Sequence, residues 1–424
     1  MIRRVHVQYM GRGAPVHVGD LAAASAGIVF EYAPAFVTLG LNLSPFALPL
    51  TTLGLINGSN PRGPLEGLHG LFADSLPDGW GRLLMDRAFA ARGIDRSQIT
   101  PLMRLTYLGT RTMGALTYEP ADTPGERARA PLDLAMIAAA SLRIFRGPPG
   151  EVLPAVLRAG DSPAGARPKI IAGVRDDFGD FVTGDGAMPS GYRHWLIKFT
   201  SPATGHDEGQ IEAACADVAR AAGIDMPETH LFEAGARRYF GVARFDRLAQ
   251  DADRRRHVHT LAGLLNVGLD AALDYRHLIR ATSQLVADHA ATCEVVRRAV
   301  FNVLAHNRDD HAKNHAFVME ADGRWRLTPA YDLTFSAGPN GEHHLTVAGA
   351  GGAPTLSHIH ELAELGGVTA TELHAIVEQV SDAIATWDAT ARHYGVRPGR
   401  RRAISKVLDA ARLAFSATGT PRAH

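Results

Sequence analysis

One short polar segment, residues 306–314, constrains this chain more than any other part of its sequence. It reads His-Asn-Arg-Asp-Asp-His-Ala-Lys-Asn and follows an apolar stretch with helical spacing. Two strand-like runs then flank Asp322-Gly323, a dipeptide that strongly favours a tight hairpin turn. Pro329 ends strand pairing, so Asp332 is expected at the mouth of the hairpin. The pattern therefore predicts a polar loop that a buried helix delivers to a fixed position.

Three side chains of this region, Asp309, Asn314 and Asp332, have the types and the order that phosphoryl transfer requires. Such a site needs a carboxylate to accept the proton of the attacking hydroxyl, and an amide and a second carboxylate to hold Mg²⁺. Protein kinases place the first two at Asp-x-x-x-x-Asn and the third just beyond a hairpin. We therefore predict that Asp309 is a catalytic base, that Asn314 and Asp332 bind Mg²⁺, and that the chain uses ATP. The simpler alternative is that all three are ordinary loop residues, because turns favour Asp and Asn.

Composition excludes several other classes of protein. The chain has 424 residues and is 46% hydrophobic, which supports two or three domains and excludes wholesale disorder. Its formal net charge is zero, so a broad basic surface for nucleic acid is not expected. Cys215 and Cys293 lie in apolar helix-like segments, so buried thiols are expected and no cysteine–histidine spacing suggests zinc. We expect a soluble, cytoplasmic protein, because no apolar run suits a signal peptide or a membrane span.

The secondary-structure pattern predicts an α+β protein with the bilobal order of protein kinases. Residues 1–118 form a β-rich N-terminal subdomain in which 36–39 continues the strand pattern, and the Pro-rich, charged residues 119–130 form a linker. Mixed elements predict a small lobe over 131–255, and an all-helical large lobe follows over 256–424. The principal helices of this large lobe are predicted over 278–289, 293–305, 371–387 and 403–415.

A nucleotide pocket of the kinase type needs a strand lysine for the phosphates and an acidic helix residue to orient it. Lys198 ends a strand-like run and Glu212 lies early in the next helix, so we assign these roles to them. The alternatives are a strand-end lysine that reaches solvent and a helix N-terminal acid favoured by the helix dipole. Residues 160–169, which end in Lys169, are rich in small residues and fit a phosphate-binding loop, although no Walker A motif is present.

Taken in order, these motifs resemble the HipA family of bacterial serine/threonine protein kinases, which act as toxins of type II toxin–antitoxin modules. The resemblance covers nearly the whole chain, and its motifs are specific in combination rather than singly. The segments that carry the resemblance are 71–80, 108–116, 162–169, 195–198, 244–247, 309–315 and 329–332.

The resemblance implies a role for each matching residue. Asp309 would be the base, Asn314 and Asp332 would bind the metal, and Ser162 would be autophosphorylated, which switches the kinase off. Phe245 would offer hinge backbone groups to adenine, with Asp246 near the ribose. The nucleotide-binding set that the resemblance implies is Ser162, Pro163, Ala164, Gly165, Lys169, Lys198, Phe245, Asp246, His311 and Tyr331.

The resemblance also implies a function and partners. The chain would transfer the γ-phosphate of ATP, with Mg²⁺, to a Ser or Thr of a protein, and the family's targets include aminoacyl-tRNA synthetases. Growth arrest and persistence would follow, and a HipB-like helix-turn-helix antitoxin would neutralise the toxin and alone contact DNA. Two alternatives stay open: a small-molecule kinase with the same catalytic residues, and a non-catalytic co-repressor acting through the antitoxin. The second is less favoured, because a degenerate kinase usually loses one of Asp309, Asn314, Asp332 or Lys198.

Overall fold

A computed structural model describes residues 2–25, 27–120, 130–146, 156, 167–184, 188–200, 206–248 and 251–417. By its internal contacts the chain divides into two compact units. Unit 1 comprises Met1–His206, Phe232–Gly268 and Phe317–Arg324, and unit 2 comprises Asp207–Leu231, Leu269–Ala316 and Trp325–His424. The predicted linker lies almost entirely outside the described residues, so the predicted domain boundaries stay a prediction.

Unit 1 begins with an antiparallel five-stranded sheet, as the predicted β-rich start of the chain requires. Its strands are β1 (Arg4–Arg12), β2 (Ala14–Ala24), β3 (Gly27–Tyr32), β4 (Ile56–Asn57) and β5 (Leu116–Glu119), in the order β4-β3-β2-β1-β5. Alternate residues of β1 (Val5, Val7 and Tyr9) are buried, which is the period of a strand with one covered face. The helices of this region are α1 (Pro34–Val37), α2 (Gly70–Ala73), α3 (Gly79–Ala91) and α4 (Pro101–Leu108).

The prediction of a strand at 36–39 is wrong, because this run begins inside the one-turn helix α1. Pro34 occupies the first turn of α1, where its fixed φ favours the helix and its missing N–H costs nothing. Thr38 then closes the turn, since its hydroxyl donates to Ala35 O at 2.7 Å. Phe36 is fully buried. Its apolar character therefore indicated a covered position, but the secondary structure at that position is a helix turn and not a strand.

A second five-stranded sheet follows in the region where the sequence pattern predicts strands over 169–174, 193–199, 231–233 and 239–245. It contains β6 (Lys169–Arg175), β7 (Phe181–Thr183), β8 (Tyr192–Lys198), β9 (Thr229–Ala234) and β10 (Arg237–Ala243), in the order β7-β6-β8-β10-β9. Trp195 and Ile197 of β8 share one apolar core with Trp80 of α3 and Ile137 of α5 (Leu134–Arg146). Trp80 Nε1 also donates to Lys169 O at 2.9 Å. The N-terminal helix α3 is therefore part of the same core as this sheet.

Asp74 ties the segment 71–80 to the last part of unit 1. That part consists of β11 (Arg247–Leu248), β12 (Asp251–Arg255), β13 (His257–Thr260) and α7 (Leu261–Leu264). The Asp74 carboxylate accepts from Thr260 N (2.8 Å) and Thr260 Oγ1 (2.7 Å), and it lies 2.6 Å from His259 Nδ1. A Cβ at Gly263 would lie 2.2 Å from Asp74 Oδ2, so this approach requires glycine. The segment 71–80 thus has a structural role, because Asp74 holds it against β13 and α7.

Unit 2 is mainly helical, but the expectation of an all-helical large lobe is corrected by short strands. Its helices are α6 (Glu208–Ala221), α8 (Tyr275–Leu285), α9 (His289–Leu304), α10 (Leu356–Leu365), α11 (Ala370–Ala385), α12 (Trp387–His393) and α13 (Pro398–Ala417). The strands within 256–424 that follow α7 are β14 (Leu273–Asp274), β15 (Ala316–Met319), β16 (Trp325–Leu327) and β17 (Leu345–Thr346). β14 pairs with β17 in parallel, and β15 and β16 flank the predicted hairpin turn.

The helix predicted over 278–289 is divided between α8 and α9. Leu285 ends α8, and Ala287 then takes a positive φ of 52°, which no helix continues through. Asp288 caps α9, because its carboxylate accepts from the main-chain N–H of the second residue of that helix (3.0 Å). One face of α9 is buried as its spacing predicts, through Val295, Val296, Ala299, Val300, Val303 and Leu304. Within the described residues, no helix is long and apolar enough to cross a membrane.

Candidate active site

The polar loop begins where α9 ends, and the last turn of the helix fixes its start. His306 takes a left-handed conformation (φ 52°), and its ring stacks on Phe335 with the centroids 5.3 Å apart. Asn307 makes two hydrogen bonds to Asn302: its main-chain N donates to the carbonyl O, and its Nδ2 donates to Oδ1, both at 2.9 Å. These contacts fix the start of the polar loop against the buried helix α9, as the sequence pattern predicts.

Asp309 and Asn314 are joined within this loop. Asn314 Nδ2 donates to the main-chain carbonyl of Asp309 at 2.8 Å, and Asn314 N donates to His311 O at 2.8 Å. Asn314 is buried, whereas the side chain of Asp309 is 49% exposed, so a substrate hydroxyl can reach it. Because the amide nitrogen of Asn314 is used inside the loop, its carboxamide oxygen is left as an acceptor. Oxygen is the ligand atom that Mg²⁺ prefers.

Asp332 follows the hairpin in a backbone conformation that is uncommon outside glycine, with φ 58°. Tyr331 OH donates to Lys313 O at 2.7 Å, which ties the preceding residue to the polar loop. Partial burial raises the pKa of the Asp309 carboxyl, and the charge of Asp332 adds to this rise. The two carboxylates are therefore close enough to repel each other. Asp332 and Asn314 offer the carboxylate and amide oxygens that Mg²⁺ prefers, so these two residues fit that metal.

Two imidazoles flank Asp309. His344 Nε2 lies 3.5 Å and His311 Nε2 lies 3.9 Å from Asp309 Oδ1. Their rings meet edge to face, with the centroids 5.6 Å apart. Both histidines oppose the rise in the pKa of Asp309. The sequence analysis placed His311 at the site but missed His344, for which the adjacent pair His343-His344 was the available signal.

Asp310, to which the sequence analysis gave no role, is a buried anchor beside the predicted base. Its carboxylate accepts from Tyr275 OH (2.9 Å) and His344 N (3.0 Å), and it lies 2.8 Å from His343 Nδ1. Tyr275 OH in turn accepts from Asn302 Nδ2 at 2.8 Å. These bonds connect α8, α9 and the segment before β17 to one carboxylate, and so hold the polar loop in place.

In unit 1, Lys198 closes β8 and is paired directly with Lys169 of β6 in the antiparallel ladder. Both are buried, with 5% and 4% of their surfaces exposed, so Lys198 is not a strand-end lysine that reaches solvent. Lys198 Nζ lies 5.8 Å from the centroid of the Phe240 ring. Residues directly opposite each other in an antiparallel pair lie on the same face of the sheet, so the two lysines are neighbours there.

Asp246 of the predicted hinge is fully buried in a cluster of donors. Its carboxylate accepts from Arg244 Nη2 (2.6 Å), Arg247 Nη1 (2.6 Å) and Gly114 N (2.7 Å). Burial alone would raise the pKa of Asp246, but the charges of Arg244 and Arg247 outweigh it and hold that pKa well below its usual range. The carboxylate therefore anchors the hinge to the loop at Gly114. Its expected position near the ribose stays a prediction.

A cavity of about 460 Å³ opens beside the hinge, lined by residues 188–194, 243–244 and 247–248. His194 on its wall is buried, and burial, followed by the charges of Arg244 and Arg247, lowers the pKa of His194 to about 2. The imidazole is therefore neutral at physiological pH. Phe245 O accepts from Arg256 Nη1 at 3.1 Å, and adenine recognition by the Phe245 backbone stays a prediction.

The remaining predicted residues are placed less directly. Glu212 is buried on α6, and its pairing with Lys198 stays a prediction. Residues Ser162, Pro163, Ala164 and Gly165 of the predicted phosphate loop lie outside the described residues. The structure thus describes Lys169 at the end of that loop and not the loop itself.

Sequence models of two protein domains match this chain. The HipA N-terminal domain matches residues 14–119, and the HipA-like C-terminal domain matches residues 162–387, more than half of the chain. The chain belongs to the HipA family. The C-terminal HipA match includes every predicted site residue, from Ser162 to Asp332, and the resemblance inferred from the motifs is confirmed.

Two known proteins show how far this HipA-family likeness extends. "Putative kinase Y4dM" of Sinorhizobium fredii is 28% identical in an alignment of 279 residues. The match covers 62% of this chain and 61% of that relative. The chain therefore spans about three fifths of the length of that curated relative. A chain in the solved complex of Shewanella oneidensis HipA, HipB and operator DNA superposes with a TM-score of 0.71 at 17% identity, over 97% of this chain and 96% of that one. This match confirms the predicted kinase-like α+β fold.

Proposed function

We propose that this HipA-family chain is an ATP- and Mg²⁺-dependent serine/threonine protein kinase. One observation carries the proposal: a half-exposed Asp309 is bonded within its loop to a buried Asn314 and lies within electrostatic reach of Asp332. Asn314 and Asp332 would hold Mg²⁺, which supplies neutralisation of charge on the nucleotide phosphates. The fit rests on the hard oxygen donors that Asn314 and Asp332 offer.

In the reaction, the residues of the chain position groups and move one proton. Asp309 accepts the proton of the substrate hydroxyl while the oxygen of that hydroxyl bonds to the γ-phosphorus of ATP. The bond from the γ-phosphorus to the bridging oxygen breaks, and ADP leaves with that oxygen. Lys198 and Lys169 stabilise the negative charge of the phosphates, so most of the rate enhancement is electrostatic.

The nucleotide is proposed to bind along the segments that the family resemblance assigns. Adenine would meet the main chain at Phe245, with Asp246 near the ribose, and His311 and Tyr331 would line the site. Ser162, Pro163, Ala164, Gly165 and Lys169 would enclose the phosphates, and Glu212 would orient Lys198. The support in unit 1 is the pairing of the buried Lys198 and Lys169 on adjacent strands.

Regulation and partners follow the same family pattern. A phosphate on Ser162 would add about two negative charges to a loop that binds phosphates, and so would repel the nucleotide. We propose a HipB-like helix-turn-helix antitoxin as the partner, through which the chain would contact DNA. The S. oneidensis complex of HipA, HipB and operator DNA supports this partner by similarity of fold. The substrate is proposed to be a protein, with the aminoacyl-tRNA synthetases as the first class to test.

The test is incubation of the full chain with Mg²⁺ and ATP, followed by intact-mass and peptide mass spectrometry. We expect one added phosphate, located on Ser162, and no addition in a Ser162→Ala variant. Prior treatment with a phosphatase ensures that the starting protein is unmodified. Bound ATP without any phosphorylated peptide, either on the chain or on an added aminoacyl-tRNA synthetase, would contradict the protein-kinase proposal. That result would favour a small-molecule kinase or a non-catalytic co-repressor.

A further inference from the structure

Three side chains of types that commonly bind metals meet on the surface of unit 2. They lie at the opposite end of α9 from the polar loop. His289 and Cys293 lie one turn apart on α9, and Glu372 lies on α11. His289 Nε2 is 2.9 Å from Glu372 Oε1 and 3.4 Å from Cys293 Sγ. The three donor atoms all lie within 4.8 Å of one another.

These separations match the edges of a tetrahedral zinc site. Zinc binds cysteine sulfur at about 2.3 Å and histidine nitrogen at about 2.0–2.1 Å. At tetrahedral angles these bond lengths place sulfur about 3.5 Å from nitrogen, and nitrogen about 3.3 Å from a carboxylate oxygen. The observed separations are 3.4 and 2.9 Å. These two separations lie within about half an ångström of the expected values, and the third pair of donors, Cys293 Sγ and the Glu372 carboxylate, lies within 4.8 Å.

The three donor groups converge on one ring nitrogen, His289 Nε2. If His289 Nε2 carries a proton, its single N–H cannot serve both the Glu372 carboxylate and the Cys293 sulfur fully. If Nε2 is unprotonated, its lone pair faces the carboxylate oxygen and repels it. A cation at the centre would accept a lone pair from each of the three atoms at once.

Glu372 is held in the orientation that a metal ligand needs. Its Oε2 accepts from Thr369 N (2.8 Å) and Thr369 Oγ1 (2.7 Å) in the capping box of α11, which leaves Oε1 facing His289. Ligands of metal sites are commonly oriented by such supporting hydrogen bonds.

We propose that His289, Cys293 and Glu372 form a binding site for Zn²⁺ or a similar thiophilic divalent cation. Sulfur and imidazole ligands favour such cations over Mg²⁺, so this site is chemically distinct from the proposed catalytic one. Three protein ligands leave the fourth position open to water, and the side chains of His289 and Glu372 are 51% and 39% exposed, so a cation can enter. Binding transfers the Cys293 thiol proton to solvent and forms a thiolate–metal bond.

The sequence analysis did not anticipate this site. It expected both cysteines to be buried, but Cys293 is only partly buried, whereas Cys215 is buried as expected. The spacing His289-x-x-x-Cys293 places both donors on one face of a helix. The third ligand is 83 residues away in the chain, so sequence spacing alone gave no complete ligand set.

The test uses the reduced full chain in excess Mg²⁺, with Co²⁺ as a spectroscopic probe. Wild type is expected to bind Co²⁺ with a thiolate-to-cobalt charge-transfer band, and an equal amount of Zn²⁺ should displace it. Cys293→Ser should abolish the band. His289→Asn and Glu372→Gln should each weaken Co²⁺ binding by roughly tenfold or more, because each removes one of only three ligands. Glu372→Gln keeps an oxygen acceptor for the Thr369 cap, so weaker binding would not reflect a lost cap.

Two controls separate this site from other donors. Cys215→Ser removes a buried thiol and should leave the band unchanged. A second surface cluster, His6, His17 and Asp20, also has metal-ligand types, but Arg4 already bonds to Asp20 and its positive charge disfavours a cation. His6→Ala combined with His17→Ala should therefore keep the band. The proposal is overturned if wild type shows no thiolate band, or if Cys293→Ser retains it.

Discussion

The side-chain amide of Asn314 donates a 2.8 Å hydrogen bond to the main-chain carbonyl of Asp309. This bond joins the proposed metal ligand to the proposed base across a single short loop. It leaves the carboxamide oxygen of Asn314 and the carboxylate oxygens of Asp309 as acceptors. The proton-accepting role and the metal-binding role therefore depend on the same local geometry.

Replacing Asp310 with alanine should destabilise unit 2. Asp310 is a buried acceptor for Tyr275 OH and His344 N, and it lies against the His343 ring. Loss of the carboxylate leaves these buried groups unsatisfied, at about 1–3 kcal/mol each. We expect Asp310→Ala to lower the free energy of unfolding by about 3 kcal/mol or more, measured by urea denaturation. Tyr275→Phe removes the hydroxyl that donates to Asp310 and accepts from Asn302; it is the comparison variant and should cost about 1–3 kcal/mol, because Asp310 keeps its other partners. Equal stabilities of Asp310→Ala and wild type would refute the anchor role.

Lys198→Met should impair phosphoryl transfer while the fold is kept. Lys198 is buried on β8, and methionine fills a similar volume without charge. Removing one group that stabilises transition-state charge typically lowers a rate by about 10²–10³. The measurement is phosphate incorporation from labelled ATP, with circular dichroism to check folding. Lys169→Met is the matched variant on the neighbouring strand and should have the smaller effect; the reverse order would show that the two lysines have been assigned incorrectly.

The Asp246 cluster should make stability depend on pH. The pKa of Asp246 is lower in the folded chain than its unfolded value of about 3.9. Its ionised form therefore stabilises the fold above about pH 4, and this contribution is lost as the pH falls through the folded pKa. Asp246→Asn removes the contribution and leaves Arg244 and Arg247 without their carboxylate, at about 3–5 kcal/mol near neutral pH.

This prediction is checked by comparing the unfolding free energies of wild type and Asp246→Asn from about pH 7 down to about pH 3. The difference should be constant at the upper end and should shrink below about pH 4. Asp177→Asn, at an exposed carboxylate that bonds to Arg175, is a suitable surface control with a small effect. A difference that grows on acidification would contradict the assigned sign.

Much of the architecture was predictable because its longer elements are marked by apolar runs. The strands β6, β8 and β10 and the helix α9 were predicted within a few residues, since their apolar residues form runs of strand length or recur at helical spacing. The short run that became α1 was not, because four apolar residues fit a strand and a helix turn equally well. The end of α8 was missed because Ala287, an ordinary helix former, takes a left-handed conformation there.

The candidate site was predictable only in part. Asp309, Asn314, Asp332 and Lys198 were proposed from residue type, order and flanking pattern, and their roles stay predictions. The contacts of Asp310 with Tyr275 and the 343–344 segment were not, because they join segments far apart in the sequence. The same reason applies to the bonds between Asp74 and Thr260. Long-range contacts of this kind depend on tertiary packing, which local patterns do not encode.

The most direct test of the account is the initial rate of phosphate transfer from γ-labelled Mg²⁺–ATP to the full chain, for wild type and Asp309→Asn. Asparagine keeps the shape of the side chain and the loop bond, which uses the main-chain carbonyl of residue 309, but it accepts no proton. We expect the rate to fall by about 10²–10⁴, while ATP binding and thermal stability stay close to those of wild type. A variant that transfers phosphate at the wild-type rate would contradict the assignment of Asp309 as the base.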